Sequence, residues 1–184
     1  MRHPNLLRKD DTFLVIVDIQ TKLLNVMFEK ERLVASCRKL IQSINLLEIP
    51  ILVTEQYPEG MGPTDPVILE FLQGRDIMSK MSFSSCGVED FNQRIKSSGK
   101  KQIVVIGIES HICVLQTVHD LLNQGYFVYV PYDAISSRKE GDYKNALERM
   151  RQVGAVIGSV ESAVFELMKT AEIPVFRQIS KIIK

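Results

Sequence analysis

Gln102–Cys113, QIVVIGIESHIC, is an apolar run rich in β-branched residues that ends in a turn and a cysteine. Such a run reads as a central strand buried on both faces. The following residues, VLQTVHDLLNQG, place Leu115, Val118, Leu121 and Leu122 at helical spacing, so a helix starts near Cys113. Free backbone N–H groups and the positive end of the helix dipole favour a thiolate at that position. Cys113 is therefore a candidate nucleophile.

Outward from this segment, apolar strands alternate with amphipathic helices. Thr12–Asp18 (TFLVIVD) reads as the first strand, Ile51–Thr54 as the second and Asp76–Met78 as a weak third. Leu33, Cys37, Leu40, Ile41, Ile44 and Leu47 mark one helix face, Val67–Leu72 a short helix, and Val88, Phe91 and Ile95 another face. Gly99, Gly125 and Gly154 precede strand-like runs, where a C′ glycine ends a helix. Tyr143–Val153 and Val160–Met168 supply two further helical faces. The pattern predicts one α/β domain over residues 1–184, with a core of about 12–170. It is a three-layer αβα arrangement, a six-stranded, mostly parallel sheet with helices on both faces. Ligands of such sheets bind beyond the carboxyl ends of the strands, where Asp18, Glu55, Lys80, Glu109–Cys113 and Asp133 accumulate. The longest irregular segment, Glu55–Pro66 (EQYPEGMGPTDP), is expected to be functional or mobile.

Composition narrows the function classes. The chain has 184 residues, 45% hydrophobic, with 23 basic and 22 acidic side chains, a balance that offers no basic stripe to a nucleic acid. No apolar run approaches membrane-spanning length, and MRHPNLLRKDD lacks a signal-peptide core, so neither a membrane partner nor export is expected. Three cysteines without a CxxC pair, Cys37, Cys86 and Cys113, suit a reducing, cytoplasmic setting rather than a disulfide framework. Three histidines, His3, His111 and His119, form no zinc-ligand spacing. Where a dinucleotide fold needs G-x-G-x-x-G, the chain has DIQTKL, which rejects that class. Ser110 lacks the G-x-S-x-G setting of a serine hydrolase.

A thiol attacks a carbonyl carbon well once a base removes its proton. Asp18 can accept that proton, and Lys80 can stabilise both anions while keeping the buried charges paired. Taken singly, each has a plain alternative: Cys113 as a small buried hydrophobe, Lys80 as a surface cation, Asp18 as a turn residue. His111 leaves a Cys–His dyad open, Cys37 reads as core, Cys86 as semi-buried packing, and Asp133 as a cap or turn after the fifth strand.

Together the segments VIVDIQ, SKMSFS and VIGIESHICVLQT, with VPYDAISS downstream, resemble the isochorismatase-like cysteine hydrolases in order and placement, from about Thr12 to Met168. The resemblance implies a catalytic triad of Asp18, Lys80 and Cys113. It also implies a non-proline cis peptide between Ile108 and Glu109, and a turn whose backbone N–H groups, including that of Cys113, meet an oxyanion. The implied reaction is hydrolysis of a small amide-like C–N bond in a small-molecule substrate, through a thioester. Nicotinamidases of this family carry an aspartate and histidines after the second strand to bind metal; here the stretch is TEQYPEGMGP, without histidine. The closest likeness is thus to a metal-free, YcaC-like subgroup, implying no metal and no cofactor, with Gln20, Gln56, Tyr57 and Phe83 bordering the pocket. A homo-oligomer is also implied, and the tail IPVFRQISKIIK is a candidate for covering a neighbouring subunit. The alternative is a non-catalytic member serving as a binding or assembly module.

Overall fold

In the computed structural model, which describes residues 2–72 and 74–184, the strand Thr12–Val17 (β1) is buried at every position. Two helices follow, Thr21–Leu24 (α1) and Lys30–Leu46 (α2), then Ile51–Gln56 (β2), Pro58–Met61 (α3) and Pro66–Leu69 (α4). Ile77–Lys80 (β3), Glu89–Ser97 (α5) and Gln102–Ile108 (β4) come next. A π-helical turn, Ser110–Val114, leads into Leu115–Asn123 (α6). The chain ends with Phe127–Pro131 (β5), Ile135–Ser136 (β6), Glu140–Gln152 (α7), Val156–Gly158 (β7), Val160–Met168 (α8) and Phe176–Ile183 (α9).

The strands form one seven-stranded sheet in the order β3-β2-β1-β4-β5-β7, with β6 beside β4, and every pairing is parallel. The expected sixth strand is β7, and β6 is a strand beyond the six expected. β5 pairs with β4 only as far as Val104↔Tyr129, and the two-residue β6 takes up the vacated edge at Gly107↔Ile135 and Ile108↔Ser136. A segment that short carries no periodicity to read. β2 and β3 run further than their apolar residues suggest, because Glu55↔Ser79 and Gln56↔Lys80 continue the ladder through polar side chains. Lys80 therefore ends a strand instead of following one.

Alternating strand residues feed two cores. Leu14, Ile16, Val53, Val104 and Ile106 pack beneath α2, α8 and α9, while Phe13, Val15, Val17, Leu52, Ile103 and Val105 pack beneath α5, α6 and α7. The C-terminal tail is spent inside the chain itself. Ile179 and Ile183 on α9 are buried in the first core, and Lys39 on α2 donates to the Ile183 carbonyl at 2.7 Å. The Glu55–Pro66 segment is tied down: Thr64 donates its amide and hydroxyl to Glu55 Oε1 at 2.5 and 2.7 Å, and Gln20 bridges to Thr64.

Gly107 fixes how closely β1 and β4 approach at the end that carries Asp18 and Glu109. Its φ is +127°, and a Cβ there would lie 2.0 Å from the Val17 carbonyl oxygen. Gly107→Ala is expected to destabilise the protein by about 2–5 kcal/mol through strained backbone and overpacking. The measurement is the urea midpoint at constant m-value; an unchanged midpoint would remove this constraint.

Candidate active site

The strand order reverses at β1 and β4, and the open carboxyl end between them is where sheets of this kind gather ligand-binding groups. Asp18 follows β1 directly, in the left-handed region at φ 54°, which aspartate tolerates better than most side chains. Lys80 closes β3. Cys113 sits in the π-helical turn after β4 rather than at a free helix start. The Ile108–Glu109 peptide is cis, and the Glu109 carbonyl accepts from the amides of Ile112 and Val114 at 3.1 and 3.2 Å.

All three predicted triad side chains converge. Lys80 Nζ donates to Asp18 Oδ2 at 2.7 Å, and both side chains are fully buried. The ammonium also contacts Gln56 Oε1 at 2.8 Å and the carbonyls of Phe83 and Ser82 at 3.0 and 3.2 Å. Thr54 Oγ1 donates to the other Asp18 oxygen at 2.9 Å. Cys113, only 6% exposed, interacts with both charged groups.

Electrostatics differ from the helix-end expectation. Burial, and next the Asp18 carboxylate, push the Cys113 thiol up to about 12, with Lys80 pulling the other way. That direction works against a resting thiolate at Cys113. Burial also raises the Asp18 carboxyl above the ordinary carboxylate value, opposed by the charge and hydrogen bond of Lys80 and the hydrogen bonds of Cys113 and Thr54. Burial thus raises both groups, which makes the Asp18 carboxylate more basic than usual and the Cys113 proton harder to lose.

Cys113 opens on a cavity of about 140 Å³. Leu23, Met61, Phe83 and Ile112 make its apolar walls, and Gln56 and Glu109 add polar groups. Of the four residues expected around the pocket, Gln56 and Phe83 line it. Gln20 is fully buried and works as a clamp: its amide bonds the Gln56 N–H at 2.8 Å, the Gln56 carbonyl at 3.0 Å and the Gly62 carbonyl at 2.6 Å. Tyr57 lies beside Gly60 and is 43% exposed, outside the cavity wall.

The remaining candidates separate from the site. His111 Nδ1 bonds Ser137 Oγ at 2.9 Å and its Nε2 approaches Asp142 at 4.0 Å, so its ring is engaged away from the thiol. Asp133 lies in the 3-10 turn Tyr132–Ala134 after β5 and also accepts from the Val160 N–H at 2.9 Å at the start of α8. Cys37 is core and Cys86 half-buried, and burial raises both thiols. Among the described residues, no cluster of three or more His, Cys, Asp or Glu side chains could hold a metal, and no helix is long and apolar enough to cross a membrane.

Several contributors escape a reading by motif. Thr54, Ser85 and Thr117 form a buried hydroxyl string behind Asp18, with Thr54 Oγ1 to Ser85 Oγ and Ser85 Oγ to Thr117 Oγ1 both at 3.4 Å. The available signal was register: a parallel pairing of β1 with β2 sets Val17 against Thr54. Arg138 is the other, bonded to Glu109 Oε2 through Nε at 3.0 Å and its backbone N–H at 3.2 Å.

The isochorismatase domain profile matches residues 12–162. Isochorismatase family protein 1A of Dictyostelium discoideum is 39% identical over 178 residues, covering 94% of this chain and 86% of that protein. A structure described as MAR1 ribonuclease from Caenorhabditis elegans superposes with a TM-score of 0.92 at 34% identity, covering 97% of this chain and 92% of that one. The YcaC gene product of Escherichia coli, described as an octameric hydrolase of unknown specificity, shares the fold at a TM-score of 0.87 and 22% identity, over 98% of this chain and 97% of that one. With the parallel sheet and the matched domain spanning both cores, the chain belongs to the isochorismatase-like hydrolase family.

Proposed function

We propose that the protein is a cysteine hydrolase that cleaves a small amide-like C–N bond through a covalent thioester. The observation that carries this reading is the buried Lys80–Asp18 ion pair at 2.7 Å beside a thiol at the floor of a small cavity. Asp18 takes the Cys113 proton as Sγ attacks the carbonyl carbon and a C–S bond forms. Backbone N–H groups of the Glu109–Cys113 turn hold the resulting oxyanion. Collapse breaks the C–N bond, and Asp18 returns the proton to the departing nitrogen. Asp18 then deprotonates a water, which attacks the thioester; the acid leaves and the sulfur regains its proton. Lys80 keeps Asp18 charged between these transfers. Gln56 orients Lys80 and, with Phe83, borders the substrate. No metal or cofactor enters any step.

The cavity size favours a substrate of few heavy atoms, below the usual range for ligand pockets. The test is a screen of small amides, hydroxamates and carbamoyl compounds, with RNA included because a relative is described as a ribonuclease. The expected result is cleavage of a small C–N substrate and none of RNA. RNA cleavage that survives loss of Cys113 would replace this reading with a nuclease. Because Asp18 must be ionised to act, kcat/KM is expected to rise with pH through an apparent pKa above about 3.9, the ordinary aspartate value. An acid limb at or below that value would remove Asp18 as the base.

The protein is further proposed to be a homo-oligomer working in the cytoplasm. Tyr57, Met81 and Phe83, exposed by 43, 71 and 54%, form an apolar rim near the cavity that a second copy would cover, and the free cysteines suit a reducing compartment. Light scattering that returns the 20.9 kDa monomer mass would overturn the first point, and fractionation outside the cytoplasm the second.

A further inference from the structure

Glu109 is a buried carboxylate that the reaction just described leaves without a role. It is 7% exposed and lines the same cavity as Cys113. Arg138 engages one oxygen only, Oε2, through its Nε and its backbone N–H. Among the described residues, Oε1 takes no hydrogen bond. Arg138 is itself 58% exposed, so water weakens its neutralising effect, whereas the Glu109 side chain is 9% exposed and meets solvent only through the cavity. The other charges near Cys113, Asp18 and Lys80, lie buried behind the cavity lining and cancel each other in a direct ion pair. What a ligand meets beyond the thiol is therefore a largely apolar chamber lined also by Gln56 and Glu109, and a ligand that covers the free Glu109 oxygen must bring it a donor, since that oxygen is costly to bury otherwise.

We infer that Glu109 is a specificity-determining residue that accepts a hydrogen bond from an N–H donor of the substrate, selecting small amides that carry an amino or other cationic group and excluding those that carry a carboxylate. This inference rests on Cys113 being the nucleophile, and it names the substrate class of that same site. The Glu109–Arg138 pair makes the selection adjustable: removing the arginine charge strengthens the negative field in the cavity, and removing the carboxylate abolishes it.

The experiment uses thiol-directed acrylamides of similar size and opposite charge on the intact protein. Monoacryloyl ethylenediamine is the cationic probe, N-acryloylglycine the anionic one and acrylamide the neutral one. Labelling of Cys113 is followed by mass spectrometry, each rate being divided by that of the same probe with free mercaptoethanol. The cationic probe is expected to lead the anionic one by about tenfold or more, the ratio set by a charge-assisted hydrogen bond. Glu109→Gln is expected to bring the ratio close to one, and Arg138→Gln, at an exposed side chain, to raise it above that of the unaltered protein. A ratio near one in the unaltered protein, or one that Arg138→Gln leaves unmoved or lowers, overturns the inference even where Glu109→Gln does not fold. Failure of the neutral probe to label Cys113 would instead overturn the nucleophile reading beneath it. Labelling without charge preference overturns the role of Glu109 alone.

Discussion

A Cys113→Ala protein is expected to lose turnover by at least about 10⁴-fold while retaining its fold, since a covalent route has no substitute for its nucleophile. The side chain contributes little to packing energy by comparison. It is small, and deleting one buried sulfur is expected to cost about 1 kcal/mol, at the low end of core truncations. Activity and stability therefore separate cleanly at this residue. Kinetics on whichever small amide the screen identifies give the first quantity, and urea unfolding gives the second. The unaltered enzyme, quenched in acid during turnover, is expected to carry the acyl group on Cys113 by mass spectrometry. Retention of full activity in the alanine protein would remove the thioester from the mechanism.

Lys80→Met is expected to do the opposite, harming stability and activity together. The lysine and Asp18 side chains are both fully buried, and their 2.7 Å contact is the main compensation for burying either charge. Breaking such a pair from one side leaves the other ion stranded, at a cost of about 3–5 kcal/mol. Asp18 answers by holding its proton to higher pH. Its carboxyl is already raised by burial and loses the main influence that opposes the rise. A carboxyl raised on folding binds more protons in the native state, so its contribution to stability is complete below the unfolded value and is lost as pH rises through the folded one. The stability deficit of Lys80→Met is thus expected to shrink as pH falls towards about 4 and to be widest near neutrality. Adding Asp18→Asn should restore part of the loss, because no stranded charge remains. A double variant as unstable as the sum of the two singles would show that the pair is not coupled.

The architecture was legible because strands and helices of this chain announce themselves through apolar periodicity: TFLVIV and QIVVIGI are buried throughout, as uninterrupted runs should be. Where pairing is carried by main chain alone the reading falls short. Ser79 and Lys80 extend β3 with no apolar signal, and the Ile135–Ser136 strand is too brief to show a period. The convergence of Asp18, Lys80 and Cys113 was expected from the family resemblance of the segments that carry them, with the strand ends placing all three at one edge of the sheet. The upward shift of the thiol was not, because a helix dipole is visible in sequence and desolvation is a property of the packed interior. Gln20 illustrates the same limit. Its spacing from Asp18 brings it to the right edge of the sheet, but only the folded chain shows its amide saturated by the backbone of Gln56 and Gly62.

The surroundings of Lys80 carry one more consequence. An ammonium owns three protons, yet four oxygens surround this one: Asp18 Oδ2, Gln56 Oε1 and the carbonyls of Ser82 and Phe83. Every proton is already subscribed before a substrate arrives. This lysine is a fixed counter-charge for its carboxylate neighbour, and in the proposed reaction negative charge developing on the carbonyl has to look to peptide amides for solvation.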